Sequence, residues 1–269
     1  MNIQTVGEGN VELIAGGDKI YTDIAARFVK SKRNLEDIIA SDYNKKIVES
    51  IIDMGHEACV EFDWFIFGVE GFSRVTEAQL IRKRLASYMV KSGRVEKDGE
   101  RSFDMVVPDS IKGVNTSVRF NANNIQLKDG SKLSDKIDDD FVFADFDTMS
   151  ILHLIERWYN QGVMEEVPEE DLRYLKPQAT EFKALVGMNA RALRDWFRIR
   201  CCKNAQHGIR DMANKMLKQC KDAAPDLFKD AGPNCARLGY CPENEYQHKD
   251  CKDKIPTENE ARKIIKENY

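Results

Sequence analysis

No stretch of this 269-residue chain strings together the roughly 18–20 apolar residues that a membrane helix needs. The N-terminal MNIQTVGEGN has neither the basic start nor the apolar core of a secretory signal, so the cytoplasm is the expected compartment. Excess positive charge is also lacking: 41 Lys and Arg stand against 45 Asp and Glu, a formal charge of −4. A protein that holds a nucleic-acid polymer through its bulk field is basic, so neither such a polymer nor a membrane is expected as a partner. Cysteines number seven, an odd count with no signal peptide, which argues against a disulfide framework. No C-x2-C knuckle occurs. Cys235, Cys241 and Cys251, with His248 among them, have a C-x5-C-x9-C spacing outside the standard zinc patterns. Reduced, partly buried thiols are expected there and no metal is assigned, although ligation stays an open alternative. The glycine clusters GEGN and GGDK neither follow a strand nor open a helix, so a dinucleotide fingerprint is unsupported, and no phosphate-loop signature is present.

What the chain does have is the composition of a globular protein, 42% apolar and 32% charged, with enough length to bury a core. Residues 10–16 (NVELIAG) alternate as a short strand. Segments 22–31 and 35–55 have helical spacing, with Gly55 as a stop. In 62–72 (FDWFIFGVEGF), Phe65, Phe67 and Val69 share one strand face and Trp64 and Ile66 the other. Helical spacing is predicted through 75–89, where Ala78, Ile81, Leu85 and Tyr88 form one stripe and Gln79, Arg82 and Ala86 another. A strand over 102–108 ends at Pro108. Residues 109–147, rich in Asp, Asn, Lys and Gly, are expected to form a surface hairpin or loop. Helical patterns follow at 149–162, where His153 is expected to be packed, and at 168–177, which opens on Pro-Glu-Glu. A strand at 182–188 precedes a long helix pair or one bent helix over 189–228. The fold class is therefore α+β: a mixed or antiparallel sheet of about four strands flanked by helices, in one domain over 1–269 with a variable insertion at about 109–147.

The chemistry concentrates in two arginine clusters. Residues 82–94 (RKRLASYMVKSGR) hold five basic side chains and two serines with no acid. Gln79 and Arg82 sit one turn apart and can point at one ligand. Ser92-Gly93-Arg94 can make a turn whose backbone N–H groups, hydroxyl and guanidinium suit a phosphate. The plainer alternative is a solvated basic helix face. In 188–206 (MNARALRDWFRIRCCKNAQ), Asn189 can cap a helix and Arg191, Asp195 and Arg198 share a face, where an Arg191–Asp195 ion pair is one reading. Arg173 lies just upstream in DLRYLKP.

These pieces resemble the flavin-dependent thymidylate synthase family. Its arginine-histidine-arginine motif, followed after seven residues by serine and preceded by a glutamine, corresponds to Gln79, Arg82-Lys83-Arg84, Ser92, Gly93 and Arg94. Gly55-His56-Glu57 and Glu61 match an upstream segment. Arg173, then Met188-Asn189-Ala190-Arg191, Leu193, Phe197 and Ile199-Arg200, match a downstream one, and Cys235 with Gly239-Tyr240-Cys241-Pro242 resembles a late segment of some members. The resemblance implies a homotetramer with active sites shared between subunits, acting on dUMP with FAD as cofactor and with NADPH and methylenetetrahydrofolate as co-substrates. It implies that Gln79, Ser92, Gly93, Arg94 and Arg173 grip the nucleotide and that Arg82 and Arg200 lie at the uracil. His56, Glu61, Arg82, Lys83, Arg84, Leu85, Asn189, Arg191, Asp195 and Ile199 would line the flavin. Arg200, Arg82 and Ser92 are the catalytic candidates. Ser92 has no histidine base nearby in sequence, so a hydrogen bond to the ligand suits it better than attack on the substrate.

Three positions depart from the pattern. Lys83 replaces the family histidine, Met89-Val90 replaces a polar pair, and Phe62-Asp63-Trp64 replaces a strand entrance rich in His and Ser. Lysine offers no neutral ring nitrogen. Besides thymidylate formation, the chain could therefore act on another pyrimidine nucleotide such as dCMP, transfer a hydroxymethyl group, or bind nucleotide and flavin without turnover.

Overall fold

The structure is a computed structural model and describes residues 2–18, 20–92, 103–243, 251 and 255–268. Gly93, Arg94 and His248, named above, lie outside the described residues. In chain order the longer elements are β1 (Ile3–Thr5), β2 (Asn10–Ala15), α1 (Tyr21–Lys30), α2 (Leu35–Ile39), α3 (Lys45–Asp53), β3 (Trp64–Ser73), α4 (Arg74–Leu80), β4 (Ser87–Val90), β5 (Met105–Val107), α5 (Asp109–Lys112), β6 (Asn115–Asn121), β7 (Phe141–Asp147), α6 (Thr148–Met164), α7 (Glu169–Leu172), β8 (Glu181–Asn189), α8 (Ala190–Arg200), α9 (His207–Ala223), α10 (Pro225–Phe228), α11 (Asn234–Leu238) and α12 (Glu258–Asn268). The chain divides into two compact units, Met1–Val6 with Ser92–Thr180 and Gly7–Lys91 with Glu181–Tyr269.

The larger unit is built on a four-stranded antiparallel sheet in the order β2-β3-β8-β4. This agrees with the α+β expectation. Alternation in β3 does what the sequence predicts: Phe65, Phe67 and Val69 are buried, and Trp64 and Ile66 face outward. Their inward partners on β8 are Met188, Val186 and Ala184, and helices α8, α9 and α10 close the core over them. Phe65 and Phe228 meet edge to face at 5.2 Å. Edge strand β2 is finished by a side chain of α9: Gln219 accepts from Leu13 N–H at 2.5 Å and donates to Val11 C=O at 2.7 Å, satisfying backbone groups that an open edge leaves unpaired.

Of the helix expected over 75–89, only the part up to Leu80 is formed. Helix α4 ends at Leu80, residues 81–86 turn, and Ser87–Val90 add to β8 as a strand, with Tyr88 opposite Val186 and Met89 opposite Leu185. RKRLASY has fair helix propensity, but pairing with β8 overrides it. The departure from the family pattern at the entrance to β3 has a structural use. Buried Asp63 is not a ligand-facing group: its carboxylate accepts from Tyr21 N–H (2.6 Å), Thr22 N–H (3.0 Å) and the Thr22 hydroxyl, capping α1 from 42 residues away. Gly55, at φ +69, ends the α3 segment as expected.

The smaller unit holds the parallel pair β1–β5, the antiparallel hairpin β6–β7 within the irregular stretch, and α6, which packs Leu152 and Tyr159 against Phe103 and Met105. Pro168 opens α7. His153, expected to be packed, is exposed on α6 with its Nδ1 3.7 Å from Glu156.

Candidate functional site

Two sequence-distant segments of the larger unit meet at the end of α4. Helix α8 starts where β8 runs out, and Asn189 caps it as expected, accepting from Ala192 N–H at 2.8 Å. Its far end carries Arg200, whose guanidinium reaches Gln79: Nη1 lies 3.4 Å from Oε1 and Nη2 3.5 Å from the backbone oxygen. Both distances are long for hydrogen bonds. Burial, and then the neighbouring positive charge of Arg82, hold the Arg200 guanidinium below its ordinary value. Among the described residues neither Arg82 nor Arg200 has an ion-pair partner. Gln79, Arg82 and Arg200 thus come together within one chain, with Arg82 on a turn and not on the helix.

Lys83 and Arg84 follow Arg82 on that turn. Half-buried Lys83 points its Nζ to 4.0 Å from Asp195 Oδ2, while Arg84 and Leu85 are exposed. Asp195 belongs to a chain of charges: its Oδ1 accepts from Arg198 (3.0 Å), Arg198 donates to Glu57 (2.9 Å), and Glu57 also accepts from Arg194 Nε (3.2 Å). Arg194 is 2% exposed and ends the chain with two bonds to Asp230, at 2.7 and 3.1 Å, and one to Leu227 C=O. Burial pushes the Asp230 carboxyl up, but the bonds and charge of Arg194 outweigh it and hold the group below the usual carboxylate range.

The Arg191–Asp195 ion pair does not form. Arg191 bonds Glu61 instead, and Asp195 is taken by Arg198 and Lys83, because the 3₁₀ segment Glu57–Phe62 lies across α8 and supplies closer carboxylates. Arg191 and exposed His56 line one cavity of about 480 Å³, together with Lys30, Gly55, Glu57 and Cys59. Ile199 is exposed on α8. Ser92 is exposed two residues beyond β4, and Arg173 is exposed in the single 3₁₀ turn Arg173–Leu175 of the smaller unit.

Met89 and Val90 do not act as a pair. Val90 packs against the core, and Met89 faces the other side of the sheet, 73% exposed. All seven cysteines are free thiols, and among the described residues no group of three or more His, Cys, Asp or Glu side chains is arranged to hold a metal. Also among the described residues, no helix is long and apolar enough to cross a membrane. Sequence reading missed the Tyr88 hydroxyl, which lies 2.9 Å from the backbone oxygens of both Leu80 and Lys83, and the structural use of Arg194. Only the position of Arg194 on the apolar side of α8, beside Leu193 and Phe197, hinted at burial.

A family model described as "Thymidylate synthase complementing protein" matches residues 14–226. A flavin-dependent thymidylate synthase of Geobacter sulfurreducens is 33% identical over 223 residues, covering 83% of this chain and 82% of its own. Another, of Clostridium tetani, is 36% identical over 229 residues, covering 81% and 84%. The fold is similar to that of a UMP/dUMP methylase, PolB, from Streptomyces cacaoi, solved with 5-Br dUMP, with a TM-score of 0.63 at 17% identity over 85% of this chain and 96% of that one. The chain belongs to the flavin-dependent thymidylate synthase family.

Proposed function

We propose that the protein transfers a one-carbon unit from methylenetetrahydrofolate to C5 of dUMP, giving dTMP, with FAD as cofactor and NADPH as reductant, in a cytoplasmic homotetramer. The observation that carries this reading is the pairing of Arg82 with Arg200. Two guanidiniums held near each other, one half-buried, with only long contacts to a neutral glutamine, raise each other's energy. An anionic ligand relieves that repulsion, and a planar pyrimidine on which negative charge develops suits two planar guanidiniums. The names of the relatives support dUMP methylation as the class of reaction.

The residues present fit a flavin. Arg191, Lys30 and His56 offer donors around one cavity large enough to take part of a dinucleotide, and the Arg82–Leu85 turn presents exposed charge and an exposed apolar side chain. Bound and reduced, the flavin supplies the hydride. The chain's own work is to bind and orient: Arg82 and Arg200 hold the pyrimidine carbonyl oxygens as charge builds on the ring, and Gln79 keeps Arg200 in place. Ser92 with Gly93, Arg94 and Arg173 takes the phosphate and sugar. Glu61, Lys83, Arg84, Asn189, Asp195 and Ile199 frame the cofactor.

The test is flavin oxidation under anaerobic conditions with methylenetetrahydrofolate and dUMP, with dTMP identified by mass spectrometry. Yellow protein that releases flavin on denaturation and forms dTMP is expected. Colourless protein that takes up no added flavin would overturn the reading.

A further inference from the structure

We propose that Tyr88 is a positioning residue for the anion site: through its hydroxyl it fixes the Arg82–Lys83–Arg84 turn and so keeps the Arg82 guanidinium beside Arg200. This role rests on the nucleotide-binding reading above. The turn joins the end of α4 to β4, and among the described residues its backbone is otherwise tied by Ile81 N–H to Glu77 C=O at 3.0 Å, at its start, and by Lys83 N–H to Leu80 C=O at 3.2 Å. Leu80 is the last residue of α4, and its carbonyl belongs to the set that a helix C-terminus leaves without an intrahelical donor. From the strand side, the Tyr88 hydroxyl stands 2.9 Å from that carbonyl oxygen and 2.9 Å from the carbonyl oxygen of Lys83, sharing its proton between them. One atom thereby connects the helix end, the middle of the turn and the strand.

Strand pairing explains why the hydroxyl is where it is. Tyr88 is in register with Val186 of β8, its ring is half-buried against the core, and it sits on the same side of β4 as Val90. The ring is held by the sheet and the oxygen by the turn. Burial pushes the phenol up to about 12, so it remains a donor throughout the working range. Arg82 and Arg84 are exposed and make no ion pair among the described residues, so nothing at the tips of those side chains sets the turn's conformation. Two guanidiniums that repel one another would part if the backbone beneath one of them were free to move.

The experiment is a double-mutant cycle on the full-length chain, with Tyr88→Phe, Arg82→Ala and the pair, read as Kd for dUMP and, in parallel, for inorganic pyrophosphate. Losing one neutral hydrogen bond that orders the turn is expected to weaken dUMP binding about fivefold in the Tyr88→Phe single variant. With Arg82 already removed, the same change is expected to cost less than about twofold, because the hydroxyl acts through that side chain. Amide exchange in Tyr88→Phe is expected to quicken at residues 81–86 and to stay as in the parent through β8 and α8. Equal losses in both backgrounds, no loss in either, or exchange that quickens throughout the unit would overturn the proposal, since Tyr88 would then serve the fold at large or nothing. If the parent binds pyrophosphate but not dUMP, the nucleotide reading falls and the cycle is judged on pyrophosphate. If it binds neither, both fall.

Discussion

Removing Arg200 separates a side chain kept for folding from one kept for a ligand. In the Arg200→Ala variant the folded chain loses two contacts to Gln79 at 3.4 and 3.5 Å, each too long to contribute more than a few tenths of a kcal/mol. It also loses the repulsion between Arg200 and Arg82, which burial aggravates. The two nearly cancel, so unfolding free energy is expected to change by less than about 1 kcal/mol, or about 2–4 °C in Tm. Binding is a different matter. A guanidinium that donates to a pyrimidine or phosphate oxygen makes a charge-assisted bond worth about 1.5–3 kcal/mol, so Kd for dUMP is expected to rise roughly 10- to 150-fold. Thermal denaturation with and without dUMP reads both quantities from one protein: the apo midpoint should barely move while the dUMP-induced rise in midpoint shrinks. The reasoning is refuted if the apo midpoint drops by more than about 8 °C, which would make Arg200 a structural residue. An undiminished ligand shift would refute it equally.

Arg194→Ala should cost about 3–5 kcal/mol in urea unfolding, because it strands the half-buried Asp230 carboxylate and one bond of Glu57; a loss under about 1 kcal/mol would contradict the buried pairing. For Asp230 the folded value is depressed, so its stabilisation is complete above the ordinary carboxylate range and disappears as pH falls through the folded value. Asp230→Asn should therefore be less stable near pH 7 and lose less between about pH 5 and pH 3 than the parent, as measured by denaturant midpoints across that window. Asp63→Ala should lose about 1–2 kcal/mol and speed amide exchange in the first turn of α1, where three donors lose their acceptor. Ser92→Ala should retain dTMP formation, with kcat/KM down by about tenfold or less, whereas a nucleophile would leave essentially none.

Much of this architecture was legible because it follows from local patterns. Alternation over Phe65, Phe67 and Val69 gave the central strand and its inward face, and the Pro-Glu-Glu start gave α7. Asn189 was readable as a cap because capping needs only the next three residues. Features that depend on distant partners were not readable. The four-residue β4 exists because β8, about 95 residues later in sequence, pairs with it; its own run shows only two alternations inside a stretch of helix-favouring residues. Arg191 and Asp195 have ideal helical spacing for a pair, yet Glu61 and Glu57 arrive from another segment and take the arginines. Asp63 registers in the sequence only as a departure at the strand entrance, and it is a cap for a helix that begins 42 residues earlier. Residue spacing links Gln79 and Arg82 and is silent on Arg200; family resemblance put Arg82 and Arg200 together at a site shared between subunits, and did not give their meeting with Gln79 inside one chain.

The departures from the family pattern take on different weights once placed. Val90 is partly buried and packs against the core from the inner side of β4, so of the two residues only Met89 changes what the exposed face of β4 presents. Lys83 occupies the histidine position but is drawn toward Asp195, which Arg198 already neutralises in part, and Arg198 is in turn shared with Glu57 and, through it, with Arg194 and Asp230. A long flexible ammonium can reach Asp195 from the turn while a shorter, planar imidazole reaches less far. The lysine therefore ties the basic turn to a charge chain rooted in the buried core, adding to the tether that the Tyr88 hydroxyl supplies from the strand. A site whose cations repel one another needs such ties, and the substitution at position 83 strengthens one of them while it gives up the chemistry of a neutral ring nitrogen. Any difference in reactivity from histidine-bearing relatives should then appear in proton handling and cofactor contact before it appears in affinity for the anionic nucleotide.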